Sequence, residues 1–213
     1  MGCDIHVMVE KRSKENGEWE TYCKGNEAFW LYLGDDYNLF AIFADVRNGY
    51  GFAGCDTGDG FIPIAGQRGV PADASDNYLE YVKKWRLSGH SHSYLTVAEL
   101  QHFDWEGQKT KHRGYLSQKN YALFKQTGER RRVSDDIGGP SIRKVPNEIM
   151  DEILNGELEV EEGIYCYTQI EWEETYKESC SYFVDEDLPE LVKIAKDYKC
   201  STEDIRLVFF FDN

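Results

Sequence analysis

Residues 205–211, Ile-Arg-Leu-Val-Phe-Phe-Phe, form an apolar run broken only by Arg206. A run of that length, rich in β-branched and aromatic residues, reads as a buried strand, and a buried strand needs a sheet around it. Residues 3–12 offer a partner. Alternation carries Cys3, Ile5, Val7 and Val9 to one face, and Asp4, His6, Met8 and Glu10 to the other. Lys14-Glu15-Asn16-Gly17 reads as a turn and Glu18–Tyr22 as the returning strand of a hairpin. Ile164–Trp172 reads as one more strand.

The middle of the chain carries helical spacing instead. Leu39, Phe40 and Phe43 predict a short helix over 36–45. Ser75 caps a helix through Tyr78, Tyr81, Val82 and Trp85, and Thr96 with Glu99 forms a capping box that opens another toward Trp105. Helices are also expected over 118–127, 146–155 and 188–198. Strands at both ends around a helical, loop-rich middle predict an α+β fold. The expectation is a single domain, 1–213, with a mixed or antiparallel sheet formed by the N- and C-terminal strands. Residues 106–160 stand out within it as a possible helical subdomain or flap.

Asp4 and His6 share one face of the first strand. If the closing strand lies antiparallel beside it, Asp212 joins them. With His90, these residues form a candidate metal set, Asp4, His6 and His90, of the donor type that suits Zn²⁺, Mn²⁺ or Fe; a carboxylate-only set would suit Mg²⁺. His90-Ser91-His92-Ser93 precedes a helix, so imidazoles, hydroxyls and helix amides together are a candidate phosphate site. Arg47 could grip phosphate with two prongs, and Asp45 is the available general base. Arg68 is a further candidate for shaping the pocket. Each has a plain structural counterpart: a polar sheet face, a capping segment, a helix-end salt bridge and a turn.

The glycine-rich stretch 49–69 cannot be one regular element, so it is either functional or surface-wrapping. Asp56-Thr57-Gly58-Asp59-Gly60 resembles part of a calcium loop but lacks the third ligand position and the distal Glu, which favours a simple turn.

A net charge of −15 argues against general nucleic-acid binding and against anionic membrane surfaces. No stretch approaches the ~20 apolar residues that span a bilayer. Six cysteines without a Cys-x-x-Cys pair, and no basic region followed by an apolar run, lead us to expect a cytoplasmic protein with reduced thiols. No nucleophile elbow, Walker loop or dinucleotide fingerprint is present, which removes support for ATP-driven or hydride-transfer chemistry. The 14% aromatic content leaves rings to spare for a groove or a homo-oligomer interface.

Met1-Gly2-Cys3-Asp4-Ile5-His6, Ala44–Gly49, Arg68–Asp73, His90–Thr96 and the closing Arg206–Asn213 resemble a widespread family of tailed-phage and prophage proteins. The resemblance brackets the whole chain and is thin over 106–160. It implies a phage accessory protein in the bacterial host cytoplasm, with counter-defence as one role, and supplies no mechanism. Asp-x-His and Gly-His-x-His are also similar in ligand chemistry to calcineurin-type metallophosphoesterases, whose two intervening motifs are missing here.

Three readings follow. The first is metal-assisted phosphoester hydrolysis of a nucleotide-like small molecule, with Asp4, His6 and His90 on the metal and Asp45 and Arg47 catalytic. The second is a non-catalytic sponge holding the same ligand class through Arg47, Arg68, His90, Ser91 and Ser93. The third is an acidic inhibitor that binds a host protein.

Overall fold

The computed structural model describes residues 2–213. In chain order the elements are β1 (Asp4–Arg12), β2 (Trp19–Thr21), β3 (Cys23–Lys24), β4 (Glu27–Ala28), β5 (Trp30–Leu31), α1 (Tyr37–Ala44) and α2 (Asp76–Lys84). There follow β6 (His90–Thr96), α3 (Val97–His102), β7 (Lys109–Ser117), α4 (Gln118–Thr127), β8 (Ile142–Lys144) and α5 (Asn147–Asn155). The chain ends with β9 (Tyr165–Thr175), α6 (Tyr176–Ser179), a π-turn at Phe183–Asp187, α7 (Leu188–Tyr198) and β10 (Ile205–Asp212). The fold is α+β, as expected. No helix is long and apolar enough to cross a membrane, among the described residues.

The chain divides into two compact units, one of residues 1–48, 61–109 and 175–213, the other of 49–60 and 110–174. The segment 106–160 thus falls mostly in the second unit, which is not purely helical: it holds a three-stranded sheet ordered β7-β9-β8 as well as α4 and α5. Its small core gathers Leu116, Tyr121, Met150, Ile153, Cys166 and Ile170. The glycine-rich stretch is shared out, with 49–60 in this unit and 61–69 in the first. Gly58 passes so close to β7 that a Cβ would sit 2.0 Å from the Lys111 carbonyl oxygen. Asp56 and Asp59 both bind Arg113, at 2.6 and 2.8 Å, which spends the carboxylates of the calcium-like segment on a salt bridge.

The first unit is built on a sheet ordered β2-β1-β10-β6, with β5 also paired to β1. β10 runs antiparallel to β1 and to β6, and Ile205–Phe211 are all buried because both faces of the strand are covered. Cys3, Val7, Val9, Leu207, Phe209 and Phe211 pack into the main core with α1 and α7. Met8, Val208 and Phe210 face the other way, against Tyr78 and Tyr81 of α2 and Trp85 just past its end. The apolar stripe of α2 therefore covers the sheet face that carries Asp4 and His6.

That face also buries a charge pair. Glu10 is fully buried and Arg206 nearly so; Arg206 Nε donates to Glu10 Oε2 at 2.7 Å. Arg206 lies 4.0 Å from the Trp19 ring centroid and also binds Asp73. Glu10 Oε1 accepts the Ser75 N–H at 2.8 Å, so the carboxylate rather than the Ser75 hydroxyl serves the start of α2. The hydroxyl turns to Thr21 Oγ1 instead.

Candidate functional site

The antiparallel register of β1 and β10 pairs Asp4 with Asp212 and His6 with Phe210. The start of β1, the end of β10 and the start of β6 thereby meet at one rim of the sheet, with Phe211 opposite His90. Asp4, His6, His90 and Asp212 are brought to this rim, and the turn after α1 adds Arg47.

His6 is the best-anchored of these. Its ring stacks on Phe210 at 4.8 Å between centroids and meets Trp85 at 4.4 Å. Nε2 lies 3.3 Å from Asp212 Oδ1, and Nδ1 lies 3.1 Å from the Tyr81 hydroxyl. A carboxylate only accepts when ionised, so a neutral His6 carries its hydrogen on Nε2 and accepts the Tyr81 O–H on Nδ1. The three groups form a carboxylate–imidazole–phenol chain.

Asp4 is exposed, and the nearness of its side chain is the main reason the Asp35 carboxyl is held above the usual carboxylate range. A second carboxylate close by disfavours ionisation of the first.

A second chain runs through Asn213. Its Nδ2 donates to His90 Nε2 at 2.9 Å, while its Oδ1 accepts from Arg47 Nη2 at 3.4 Å. Arg47 Nη2 also reaches the Gly2 carbonyl at 3.4 Å. His90 Nδ1 meets Ser91 Oγ at 2.9 Å. Burial lowers the His90 pKa, in keeping with a neutral ring that accepts the Asn213 amide hydrogen. Cys3, buried beside Arg47, has its thiol pushed up by desolvation.

Backbone strain collects here. Asp45, Arg47 and Ser91 are three of the six described non-glycine residues at positive φ, at 58°, 55° and 50°. Ser91 sits in the irregularity where the β6–β10 register shifts. Asp45 closes α1, and its Oδ1 accepts from Asn48 Nδ2 at 2.6 Å.

The phosphate set expected around His90 does not assemble as drawn. His90–Thr96 is a strand that runs directly into α3, so six residues of extended chain, roughly 20 Å, part His90 from the amides of that helix. Ser93 is fully buried on the core side, where its hydroxyl accepts the Arg68 N–H. The Arg68 guanidinium is clamped by Glu99 and bonded to the Tyr94 carbonyl, toward the α3 end of β6. Ser91 stays with His90; Ser93 and Arg68 do not.

Sequence reasoning missed Tyr81, Asn213 and Asp35. The helical stripe Tyr78, Tyr81, Trp85 was visible, but which sheet face it covers is set by tertiary packing alone. A scan of protein-family models and searches of curated proteins and solved structures found no match to the chain.

Proposed function

We propose that the rim binds a phosphorylated, nucleotide-like small molecule, with Arg47 as the principal anion contact. The observation that carries this reading is Arg47 itself, a non-glycine residue held at φ 55° with its guanidinium across Gly2 and Asn213. Left-handed backbone at such a residue costs about 1–3 kcal/mol and persists where the surroundings impose it, often at ligand clamps. Two of the Arg47 contacts are to neutral carbonyl oxygens, which phosphate oxygens can replace with stronger bonds. The pairing of Asp212 with His6 occupies one of the carboxylates that a phosphate would meet.

Hydrolysis would then use the chain Asp212–His6–Tyr81. The Tyr81 oxygen passes its proton to His6 Nδ1 and attacks phosphorus, the ester P–O bond breaks, and the leaving oxygen takes the proton from the imidazolium that Asp212 stabilises. Water then attacks the phosphotyrosine, His6 takes its proton, and Tyr81 leaves and recovers that proton from His6. A metal held by Asp4, His6 and His90 does not fit this arrangement. Both ring nitrogens of His6 and of His90 are engaged by protein groups, and no three His, Cys, Asp or Glu side chains are grouped to hold one ion, among the described residues. The same engagement favours a second reading, retention of the ligand without turnover. In the phage setting that the resemblance implies, either activity would remove a nucleotide-derived signal.

The test is calorimetry with cyclic and linear nucleotides, followed by chromatography of the mixture. Saturable binding that weakens about tenfold or more in Arg47→Ala supports the site. Product that disappears in Tyr81→Phe while binding persists supports hydrolysis, and recovery of intact nucleotide after denaturation supports retention. No binding by any nucleotide would sink both.

A further inference from the structure

A separate cavity of about 420 Å³ opens in the first unit between the turn before α1 and the π-turn at Phe183–Asp187. Its lining includes Tyr32, Asp36, Leu39, Tyr182, Phe183 and Asp187. The volume lies in the range of small-molecule sites, roughly 300–1,000 Å³. Tyr32 and Tyr182 are 87% and 71% exposed, an arrangement that a folded chain does not need for its core.

Asp187 is the unusual member. It is only 9% exposed, and among the described residues no side chain donates to it or pairs with its charge. Its charged neighbours are Glu190 and Glu186 on its own stretch of chain, the former bonded to Lys24 at 3.0 Å. Across the cavity stand Asp36, which caps α1 through the Leu39 N–H, and Asp35. The carboxyl is accordingly pushed up to about 6, chiefly by burial. Buried carboxylates are ordinarily paired or hydrogen-bonded. The π-turn is what places it: the Leu188 N–H reaches back to the Phe183 carbonyl, five residues earlier, and such widened turns concentrate at functional sites.

We propose that this cavity takes a small organic cation, an amine or quaternary ammonium group, which sits against the buried, unpartnered Asp187 carboxylate between Tyr32, Tyr182 and Phe183. A carboxylate supplies the counter-charge and aromatic faces supply the cation–π attraction. A chain of net charge −15 favours a cation over an anion in such a pocket. Asp187 and Tyr182, which the proposal relies on, take no part in the rim, although Asp35 borders both the cavity and Asp4.

The experiment titrates the full chain with tetramethylammonium, choline and butylammonium chlorides by calorimetry near neutral pH. We expect saturable binding of at least one, weakened about tenfold or more in both Asp187→Asn and Tyr182→Ala. Binding should also weaken as pH falls through about 6, as the carboxyl takes up its proton. Asn is isosteric and Tyr182 is exposed, so both variants should fold, and circular dichroism melts confirm it. No saturable binding of any of the three cations overturns the proposal. So does binding that either variant leaves intact, or binding abolished by Asp4→Asn while Asp187→Asn retains it.

Discussion

Asp4 and Asp212 are direct cross-strand partners in the antiparallel pairing of β1 with β10. Like charges placed opposite each other destabilise a sheet by a few tenths to about 1 kcal/mol. Each carboxylate has a different neighbour, Asp4 the Asp35 carboxyl and Asp212 the His6 ring. The rim is therefore a charged structure held in balance by hydrogen bonds, and disturbing one side should be felt on the other.

Replacing Asp212 with Asn tests that balance. The amide keeps the shape but ends the like-charge opposition, so stability should stay within about 0.5 kcal/mol of the parent or rise slightly. His6 loses the carboxylate that fixes its hydrogen on Nε2. Nitrogen-15 spectra of the imidazole should show a dominant Nε2–H tautomer in the parent and a mixture in the variant. An unchanged tautomer would show that Asp212 does not orient the ring.

Glu10→Gln should be far more damaging. Glu10 and Arg206 are buried as a pair, and Glu10 also accepts the Ser75 N–H that opens α2. A fully uncompensated buried charge costs about 3–5 kcal/mol; Arg206 would keep only the exposed Asp73 carboxylate, so the loss should approach the lower end of that range. Urea denaturation should show the loss as a lower midpoint with an unchanged slope. The double variant Glu10→Gln/Arg206→Met should recover part of it, because no buried charge is then left alone.

The same residues explain how much of the fold was legible. β1 and β10 were readable because period-2 alternation and an apolar run interrupted only by Arg206 are local signals, and Asp212 followed from their antiparallel pairing. The capping box at Thr96 fixed the start of α3 for the same reason. His90–Thr96 escaped as a strand because its His, Ser and Thr residues carry little apolar pattern; its partner β10 makes it a strand. β7, Lys109–Ser117, is similarly polar in sequence and is organised by the β9 pairing. At the site, Asp4, His6 and His90 were visible as chemistry. Tyr81, Asn213 and Asp35 were not, since their roles depend on which face α2 covers and on where the turn before α1 lies.

His92 offers a test of opposite sign to Glu10. Its Nδ1 is buried without a partner, its ring lies 5.1 Å from that of Phe210, and burial lowers its pKa. An unfolded chain takes up the proton first, near pH 6.5, so His92 lowers stability as pH falls below about 6.5 and has no such effect above it. His92→Phe removes an unsatisfied polar atom while keeping a ring on Phe210. We expect a gain of about 1 kcal/mol at neutral pH and a shallower loss of melting temperature between roughly pH 6.5 and 5. Some slope should remain, because His90 and His112 are shifted in the same direction.

Asp187 should behave in reverse, and it separates a cation site from a merely uncomfortable core residue. Its carboxyl titrates at about 6 in the folded protein against 3.8 for an unperturbed one. As pH rises from about 4, the unfolded chain loses its proton before the native one does, so the penalty grows up to about pH 6 and is complete above it. Asp187→Asn should therefore be the more stable protein at neutral pH, by about 1 kcal/mol once solvent screening is allowed for, or about 3 °C in melting temperature. The advantage should vanish toward pH 4. Adding a cation that fills the cavity should raise the melting temperature of the parent and leave the variant where it was, because only a ligand that prefers the native state shifts the equilibrium. A parent protein indifferent to every cation, yet still stabilised by the substitution, would mark Asp187 as a buried charge without a ligand.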